Sequence, residues 1–212
     1  MDPAVSAAHG GRVLAGLVLA AGAGRRFGGP KALVRRDGVL LVDQALATLR
    51  AAGCQPSLVV LGAQADQVRA AADLGGAVVL DNPSWPTGMG SSLRRGLAAL
   101  ATSRADAVVV LLVDMPGIGA AAVRRVAAGA GPDTLAAASY RPGRPGHPVV
   151  LGRAHWPGVA ASADGDVGAR PYLRRHGDQV RLVPCADVAD PADLDRPADL
   201  DRLEPGTIEV SS

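Results

Sequence analysis

The sequence predicts an α/β fold with a doubly wound, mainly parallel sheet, and three observations carry that prediction. Short apolar runs alternate with segments of helical spacing along most of the chain. The first run, Val13 to Ala21, is broken only by Gly16 and suits a strand buried on both faces. The strongest run, Ala107 to Val113, ends in Asp114-Met115-Pro116. It therefore sets a carboxylate at the rim where open α/β sheets bind ligands.

At 212 residues the chain is long enough to bury most of its apolar surface in one domain. That domain is expected over 12–203, with loose tails at 1–11 and 204–212. Hydrophobic residues make up 48% and charged residues 20%, a globular composition. Aromatics are only 2%, so the core must come from Ala, Val and Leu, and stacking platforms for single-stranded nucleic acid are scarce. The net charge of +2 and the lack of a long Lys/Arg block speak against duplex nucleic acid as a partner. Cys54 and Cys185 are isolated, without metal spacing, and are expected as free thiols in a reducing cytoplasm. Met1 to Gly11 do not read as a signal peptide, and Val13 to Ala21 is too short to span a bilayer. A cytoplasmic location without membrane contact is expected.

Taken in order, the first strand opens into Gly22, Gly24, Gly28 and Gly29 with Arg25, Arg26 and Lys31 among them. Glycines let the backbone approach a ligand closely, and bare amides beside cations are how such loops hold phosphates. The dinucleotide fingerprint fails because Phe27 takes its third glycine position; the P-loop fails because Pro30 precedes Lys31 and Ala32 comes after it. Leu33 to Val39 is turn-like around Asp37-Gly38. Leu41 to Ala52 has helical spacing and stops at Gly53. Leu58 to Leu61 reads as a strand, Gln64 to Ala72 as a helix, and Ala77 to Leu80 as a strand. Ser84 to Ser92 reads as a second loop, with a helix continuing from Leu93 to Ala101. Ser91 and Ser92 then lie at its N-terminus, where they cap the helix, contact a ligand, or do both.

After the Ala107–Val113 strand, Asp114 is a candidate Mg²⁺ ligand, or a turn or cap aspartate. Ala120 to Ala130 reads as a helix and Thr134 to Tyr140 as a strand. Arg141 to Pro148 is a constrained hairpin-like loop whose arginines and His147 point to an anion, and it leads into the strand Val149 to Leu151. His147 also fits a turn residue bonded to backbone. A loop from about Pro157 leads through Gly165-Asp166-Val167-Gly168-Ala169-Arg170 into a helix ending at His176, and Val180 to Val183 is a last strand. Pro191 to Arg196 and Pro197 to Arg202 repeat the same six residues; the proline suits a helix start, and the repeat reads as packing rather than chemistry.

The loop Leu-Ala-Ala-Gly-x-Gly-x-Arg-Phe-Gly-x-Pro-Lys resembles the signature of nucleotidyltransferases, closest to the MobA-like and MocA-like NTP transferases that modify molybdenum cofactor. Gly-Met-Gly-Ser-Ser-Leu, Gly-His-Pro and Gly-Asp-x-Gly-Ala-Arg are similar to the cytidylyltransferase branch. Asp195-Arg196-Pro197-Ala198-Asp199-Leu200 is similar to its Asp-Thr-Pro-x-Asp-Leu ending, with Arg196 in place of Thr. The resemblance spans roughly Leu17 to Leu203. It implies a Rossmann-like three-layer sandwich with a mixed, mainly parallel sheet of the nucleotide-diphospho-sugar transferase type. It implies transfer of CMP from CTP to a molybdopterin-type phosphate with release of pyrophosphate, and a molybdoenzyme as receiver of the product. Arg26, Lys31 and Asp114 would be catalytic. Leu19, Ala20, Ala21, Gly22, Ala23, Gly24, Arg26, Lys31, Gly88, Ser91 and Ser92 would hold the nucleotide. Asp114 and Asp166 would hold Mg²⁺, with Mn²⁺ the alternative, and His147 and Arg170 would meet the acceptor. Competing possibilities are a GTP- or other NTP-dependent enzyme acting on a sugar phosphate or small phosphorylated acid, a non-catalytic cofactor carrier, and a dinucleotide oxidoreductase.

Overall fold

The computed structural model describes residues 12–202, with Leu200–Arg202 placed by backbone only, so the tails proposed at 1–11 and 204–212 lie outside the described residues. Seven strands form one sheet in the order β5-β4-β1-β6-β8-β7-β9. They are β1 (Leu14–Ala20), β4 (Ser57–Leu61), β5 (Val78–Asp81), β6 (Ala107–Leu112), β7 (Leu135–Arg141), β8 (Arg144–Gly152) and β9 (Val180–Pro184). β2 (Arg35–Arg36) and β3 (Val39–Leu40) make a separate small hairpin around Asp37 and Gly38, both at positive φ. Only β8 runs antiparallel to its neighbours in the large sheet. The predicted doubly wound, mainly parallel and mixed sheet is thus the observed one.

Helices cover both faces. α1 (Leu41–Ala51), α2 (Ala65–Ala71) and α4 (Ala120–Ala127) pack on the side of Val18, Val59 and Val109. α3 (Met89–Leu100), α5 (Trp156–Ser162) and α6 (Arg170–Arg175) pack on the side of Leu17, Val60 and Val108. Alternate residues of β1 serve the two cores, which is why its apolar run has no polar break. Two glycines set the helix-to-sheet spacing. A Cβ at Gly16 would lie 2.7 Å from Leu49 Cδ1 of α1, and one at Gly96 would lie 2.5 Å from Leu17 Cδ2 of β1. Leu17 and Leu49 are both fully buried and cannot swing into solvent. Gly96→Ala is therefore expected to destabilise the fold by about 1–3 kcal/mol through overpacking. A urea midpoint equal to that of the unsubstituted protein would refute this packing account.

Three local expectations are corrected. α3 begins at Met89, not Leu93, because Gly88 at φ 107° ends the preceding turn and releases the chain into the helix. The stretch after Pro157 is helix α5, not a loop: proline at the first turn loses no hydrogen bond there, and Trp156 and Val159 bury the inner face. Of the repeated segments, only Pro197–Arg202 is helical, as a 3-10 helix. Among the described residues no helix is long and apolar enough to cross a membrane. Cys54 and Cys185 are buried and free, and burial pushes the Cys54 thiol up to about 11.

Candidate active site

Every parallel strand of the central sheet points its carboxyl end at one edge, and the loops leaving those ends build the site. β1 delivers the glycine loop. The carbonyl of Gly24 accepts the N–H groups of Phe27, Gly28 and Gly29 at 2.9, 3.0 and 3.2 Å, which curls the loop on itself. Gly24 sits at φ 57°, and a Cβ there would overlap the Gly29 carbonyl oxygen, so only glycine closes this turn. Among the described residues the N–H groups of Ala23, Gly24, Arg25 and Arg26 have no partner, which leaves a concave run of donors suited to an anion.

Lys31 comes after the loop in a single 3-10 turn, Lys31–Leu33. Its Nζ lies 2.8 Å from Asp114 Oδ2 and 3.2 Å from Asp195 Oδ1. Arg26 reaches the same Asp195 oxygen at 3.1 Å. The Lys31 side chain is only 14% exposed against 74% for Arg26, so the lysine pair is weakly screened while the arginine pair is largely solvated. Asp114 itself stands just past β6, as expected.

Three adjoining cavities meet here. One of about 390 Å³ is lined by Leu19, Ala21, Gly22, Ala23 and Gly24 on one side and by Trp85, Gly88, Ser92, Asp114 and Asp166 on the other. A second, of about 250 Å³, lies between Gly22, Gly24, Arg26, Lys31 and Asp195. The third, of about 210 Å³, contains His147 and Arg170 and shares Leu19, Met89, Leu112 and Asp166 with the first. Its walls are otherwise dominated by Leu93, Val110, Met115, Val149 and Leu173.

The structure thus brings together the residues predicted for nucleotide, metal and acceptor, with two exceptions. Ala20 turns its side chain into the opposite core. Ser91 lines none of the three cavities; its hydroxyl accepts from Asn82 Nδ2 at 2.8 Å and lies 3.0 Å from the Ser84 carbonyl and 2.8 Å from the Gly88 carbonyl. Ser92 also accepts from Asn82, at 3.0 Å, yet borders the large cavity. Neither serine caps α3, whose N-cap position is Gly88. Asp166 does that work from outside, its Oδ1 accepting the Met89 N–H at 3.2 Å. A Cβ on Gly88 would lie 2.3–2.4 Å from the Gly165 carbonyl and 2.8 Å from Asp166 Oδ1.

His147 departs from its expected character. Its Nδ1 donates to the Val110 carbonyl at 3.2 Å, and burial lowers its pKa, the carbonyl bond and the Asp114 charge opposing more weakly. The ring therefore faces the third cavity as a neutral imidazole, not as an anion receptor. Arg141 and Arg144 stay exposed at the β7–β8 turn and line none of the three cavities, so Arg170 is the cation of the third cavity. Among the described residues Arg170 has no carboxylate partner. The lowered His147 pKa has a consequence for stability. The unfolded chain takes up a proton near pH 6.5 that the folded chain refuses, so stability falls as pH drops through that value toward the folded pKa. His147→Gln is expected to flatten the decline of the urea midpoint between pH 7.5 and 5.5, by up to about 1.4 kcal/mol per pH unit. Parallel declines in the two proteins would rule this out.

Asp193 and Asp195 join the site, which corrects the reading of the repeat as packing alone. The first of the repeated segments is extended and straps the site: the Leu194 N–H donates to the Asp114 carbonyl at 2.9 Å, and Leu194 is fully buried. This sets Asp195 on Lys31 and Arg26 and places Asp193 in the wall of the third cavity. Desolvation, reinforced by the charges of Asp114 and Asp195 against Lys31, pushes the Asp193 carboxyl up. The second copy acts on the first, Asp199 Oδ2 accepting the N–H groups of Asp195 and Arg196 at 3.0 and 2.7 Å. One copy therefore lies in the site and the other fixes its backbone.

A doubly wound sheet whose glycine loop, lysine and rim aspartate converge on a nucleotide-sized cleft defines a nucleotidyltransferase class of site, and comparison with known proteins agrees. Residues 16–180 match the MobA-like NTP transferase domain, and the chain belongs to that family. It is 39% identical over 195 residues to nicotine blue oxidoreductase of Paenarthrobacter nicotinovorans, covering 89% of this chain and 95% of that one. It is 38% identical over 109 residues to a probable molybdenum cofactor guanylyltransferase of Opitutus terrae, covering 51% of each. Among solved structures, Rv0371C of Mycobacterium tuberculosis in complex with manganese superposes with a TM-score of 0.71 at 29% identity, over 90% of this chain and 97% of that one. A nucleotidyl transferase from Methanothermobacter shares the fold, with a TM-score of 0.77 at 23% identity over 91% and 96% of the two chains.

Proposed function

We propose that the protein transfers CMP from CTP to the phosphate of a molybdopterin-type acceptor and releases pyrophosphate. The observation that carries this is the Lys31–Asp114 pair at the mouth of a glycine loop with unpartnered N–H groups, beside an adjoining cavity where Arg170 has no carboxylate partner among the described residues. In such a reaction the acceptor phosphate attacks the α-phosphorus in line and pyrophosphate leaves; positioning and charge carry the chemistry. The N–H groups of Ala23 to Arg26 would hold the β- and γ-phosphates. Arg26 would meet the leaving pyrophosphate and Lys31 the charge growing on the α-phosphate. Asp195 occupies both cations in the free protein and would give way to phosphate.

Asp114 and Asp166 offer hard carboxylate oxygens to one cavity, which fits Mg²⁺ or Mn²⁺. Among the described residues no three His, Cys, Asp or Glu cluster to make a full cage. That suits an ion that takes its remaining ligands from phosphates and water. When bound, it would neutralise charge on the triphosphate.

The third cavity is the place proposed for the acceptor. This cavity sets Leu, Val and Met faces beside His147, Asp166, Arg170 and Asp193, a wall that suits a ring system with a polar edge. A flat, apolar-faced body with one phosphate near Arg170 fits it. The relative named as an oxidoreductase supports a second reading, a redox reaction on a compound held in the same apolar cavity. Phe27 in the dinucleotide fingerprint weighs against that reading.

The test is pyrophosphate release from CTP, GTP, ATP and UTP with Mg²⁺, with and without molybdenum cofactor, alongside NAD(P)H consumption. Acceptor-dependent release, fastest with CTP, is expected. Release that ignores molybdenum cofactor, or NAD(P)H consumption without any release, would overturn the proposal.

A further inference from the structure

The chain has two tryptophans, and they are placed very differently. Trp156 is a core residue at 4% exposure, and its indole N–H donates to the Leu151 carbonyl at 2.9 Å. Trp85 is half-buried and lines the largest of the three site cavities, and among the described residues its indole N–H has no hydrogen-bond partner. The N–H is not buried, since no buried side-chain nitrogen or oxygen among the described residues lacks a partner, so the indole keeps an apolar face and one available donor for a molecule bound in the cavity.

The position of Trp85 is built rather than incidental. Its side chain rests on Gly62, where a Cβ would lie 2.6 Å from the Trp85 Cβ and 2.7 Å from its Cγ. The same Cβ would lie 2.8 Å from the Cβ of Ala21, so Trp85 is seated over the ends of both β1 and β4. Its backbone is held at both ends of the Trp85–Thr87 turn, the Trp85 N–H donating to the Asn82 carbonyl at 3.2 Å and the Trp85 carbonyl accepting the Gly88 N–H at 3.0 Å. The ring thus sits on a rigid shelf.

The positive part of the lining is confined to one stretch. Its cations and unpartnered N–H groups lie along Gly22 to Arg25, next to Lys31 and Arg26 in the adjoining space. A triphosphate held there leaves its nucleoside to the remaining wall, where Trp85, Pro86, Gly88 and Ser92 stand beside Asp114 and Asp166, the two carboxylates proposed for the metal ion. Trp85 is the aromatic side chain on that wall, in a chain with only 2% aromatics. We propose that Trp85 is the stacking platform for the nucleobase, its indole covering one face of the ring and its N–H donating to the bound nucleoside. This rests on the nucleotide-site reading above and adds to it the residue that distinguishes a nucleoside triphosphate from a bare polyphosphate. Stacking tolerates any base, because every base has a π-face. Trp85 therefore sets the affinity for nucleosides without choosing among them.

The experiment is calorimetric titration of the full chain with CTP, GTP and inorganic tripolyphosphate in Mg²⁺, for the unsubstituted protein, Trp85→Phe and Trp85→Ala. Trp85→Ala is expected to weaken CTP and GTP alike by about tenfold or more, while tripolyphosphate changes less than twofold. Trp85→Phe keeps a π-face and recovers most of the loss. CTP should also quench tryptophan emission in the unsubstituted protein and not in Trp85→Phe. Equal weakening of CTP and tripolyphosphate would assign Trp85 a structural role through Gly62 and overturn the proposal, as would unchanged CTP affinity in Trp85→Ala. Nucleotide binding without pyrophosphate release would end the transferase reading and leave the platform standing. Failure of the unsubstituted protein to bind either nucleotide would end both.

Discussion

Asp114→Asn should cut acceptor-dependent pyrophosphate release by about 10²–10³, the scale of losing one preorganised electrostatic group from a transfer site. The substitution keeps the shape of the side chain and removes its charge. Asp114 is the residue to which Lys31 is most tightly bound, at 2.8 Å, and it is the rim carboxylate available to a divalent ion. An amide in its place is a poor partner for both. The fold should survive, because Lys31 retains Asp195 and the Asp114 backbone carbonyl still receives the Leu194 N–H. The two measurements are turnover and thermal midpoint on the same preparation. Turnover within tenfold of the unsubstituted protein, at an unchanged midpoint, would remove Asp114 from the mechanism and favour a carrier that merely binds nucleotide.

Gly24→Ala is expected to abolish high-affinity nucleotide binding, with a loss of at least tenfold. Two costs coincide at this residue. A φ of 57° is strained for any side chain but glycine's, by roughly 1–2 kcal/mol. The added methyl would also overlap the Gly29 carbonyl oxygen, so the curl on which Phe27, Gly28 and Gly29 converge must open. Opening it disperses the unpartnered N–H groups of Ala23 to Arg26. Gly29→Ala serves as the comparison within the same loop, since a methyl there meets nothing within 4 Å and its φ is not positive. Calorimetry with CTP and with tripolyphosphate should show both ligands lost in Gly24→Ala and both retained in Gly29→Ala. Retention of tripolyphosphate by Gly24→Ala would mean that the curled loop does not hold the phosphates.

These two residues lie in the part of the chain whose place at the sheet edge is legible in residue order alone. The loop after β1 and the aspartate after β6 announce themselves because an abrupt change, from apolar run to glycine and cation or to Asp-Met-Pro, marks the end of a buried strand. Other parts are hidden for identifiable physical reasons. The start of α3 depends on the positive φ of Gly88, which a run of Gly, Met and Ser does not disclose. α5 is obscured by Pro157-Gly158, which has the look of a turn although proline is at home in a first helical turn. The cationic look of the Arg141–His147 stretch is misleading: the arginines stay at the hairpin tip, and burial leaves His147 neutral against the weaker pull of its bond to the Val110 carbonyl. Asp195 is the hardest to foresee. It lies 164 positions from Lys31, and a repeated Pro-Ala-Asp-Leu-Asp-Arg gives no hint that its copies differ in conformation.

The reversed strand β8 divides the labour of the molecule. A parallel strand can bring only its finish to the catalytic edge, where it gives way to a loop and then a helix. β8 brings its beginning there instead, so His147 arrives on a hairpin returning from β7, while the glycine loop and Asp114, proposed for the triphosphate, follow β1 and β6. The two compartments share one seam along Leu19, Met89, Leu112 and Asp166. A lineage can then exchange the cargo compartment by altering one hairpin and the short helix α6, without disturbing the machinery that grips the energy-rich donor. Relatives of such a chain can diverge in the compound they handle while keeping the same loop, lysine and rim aspartate.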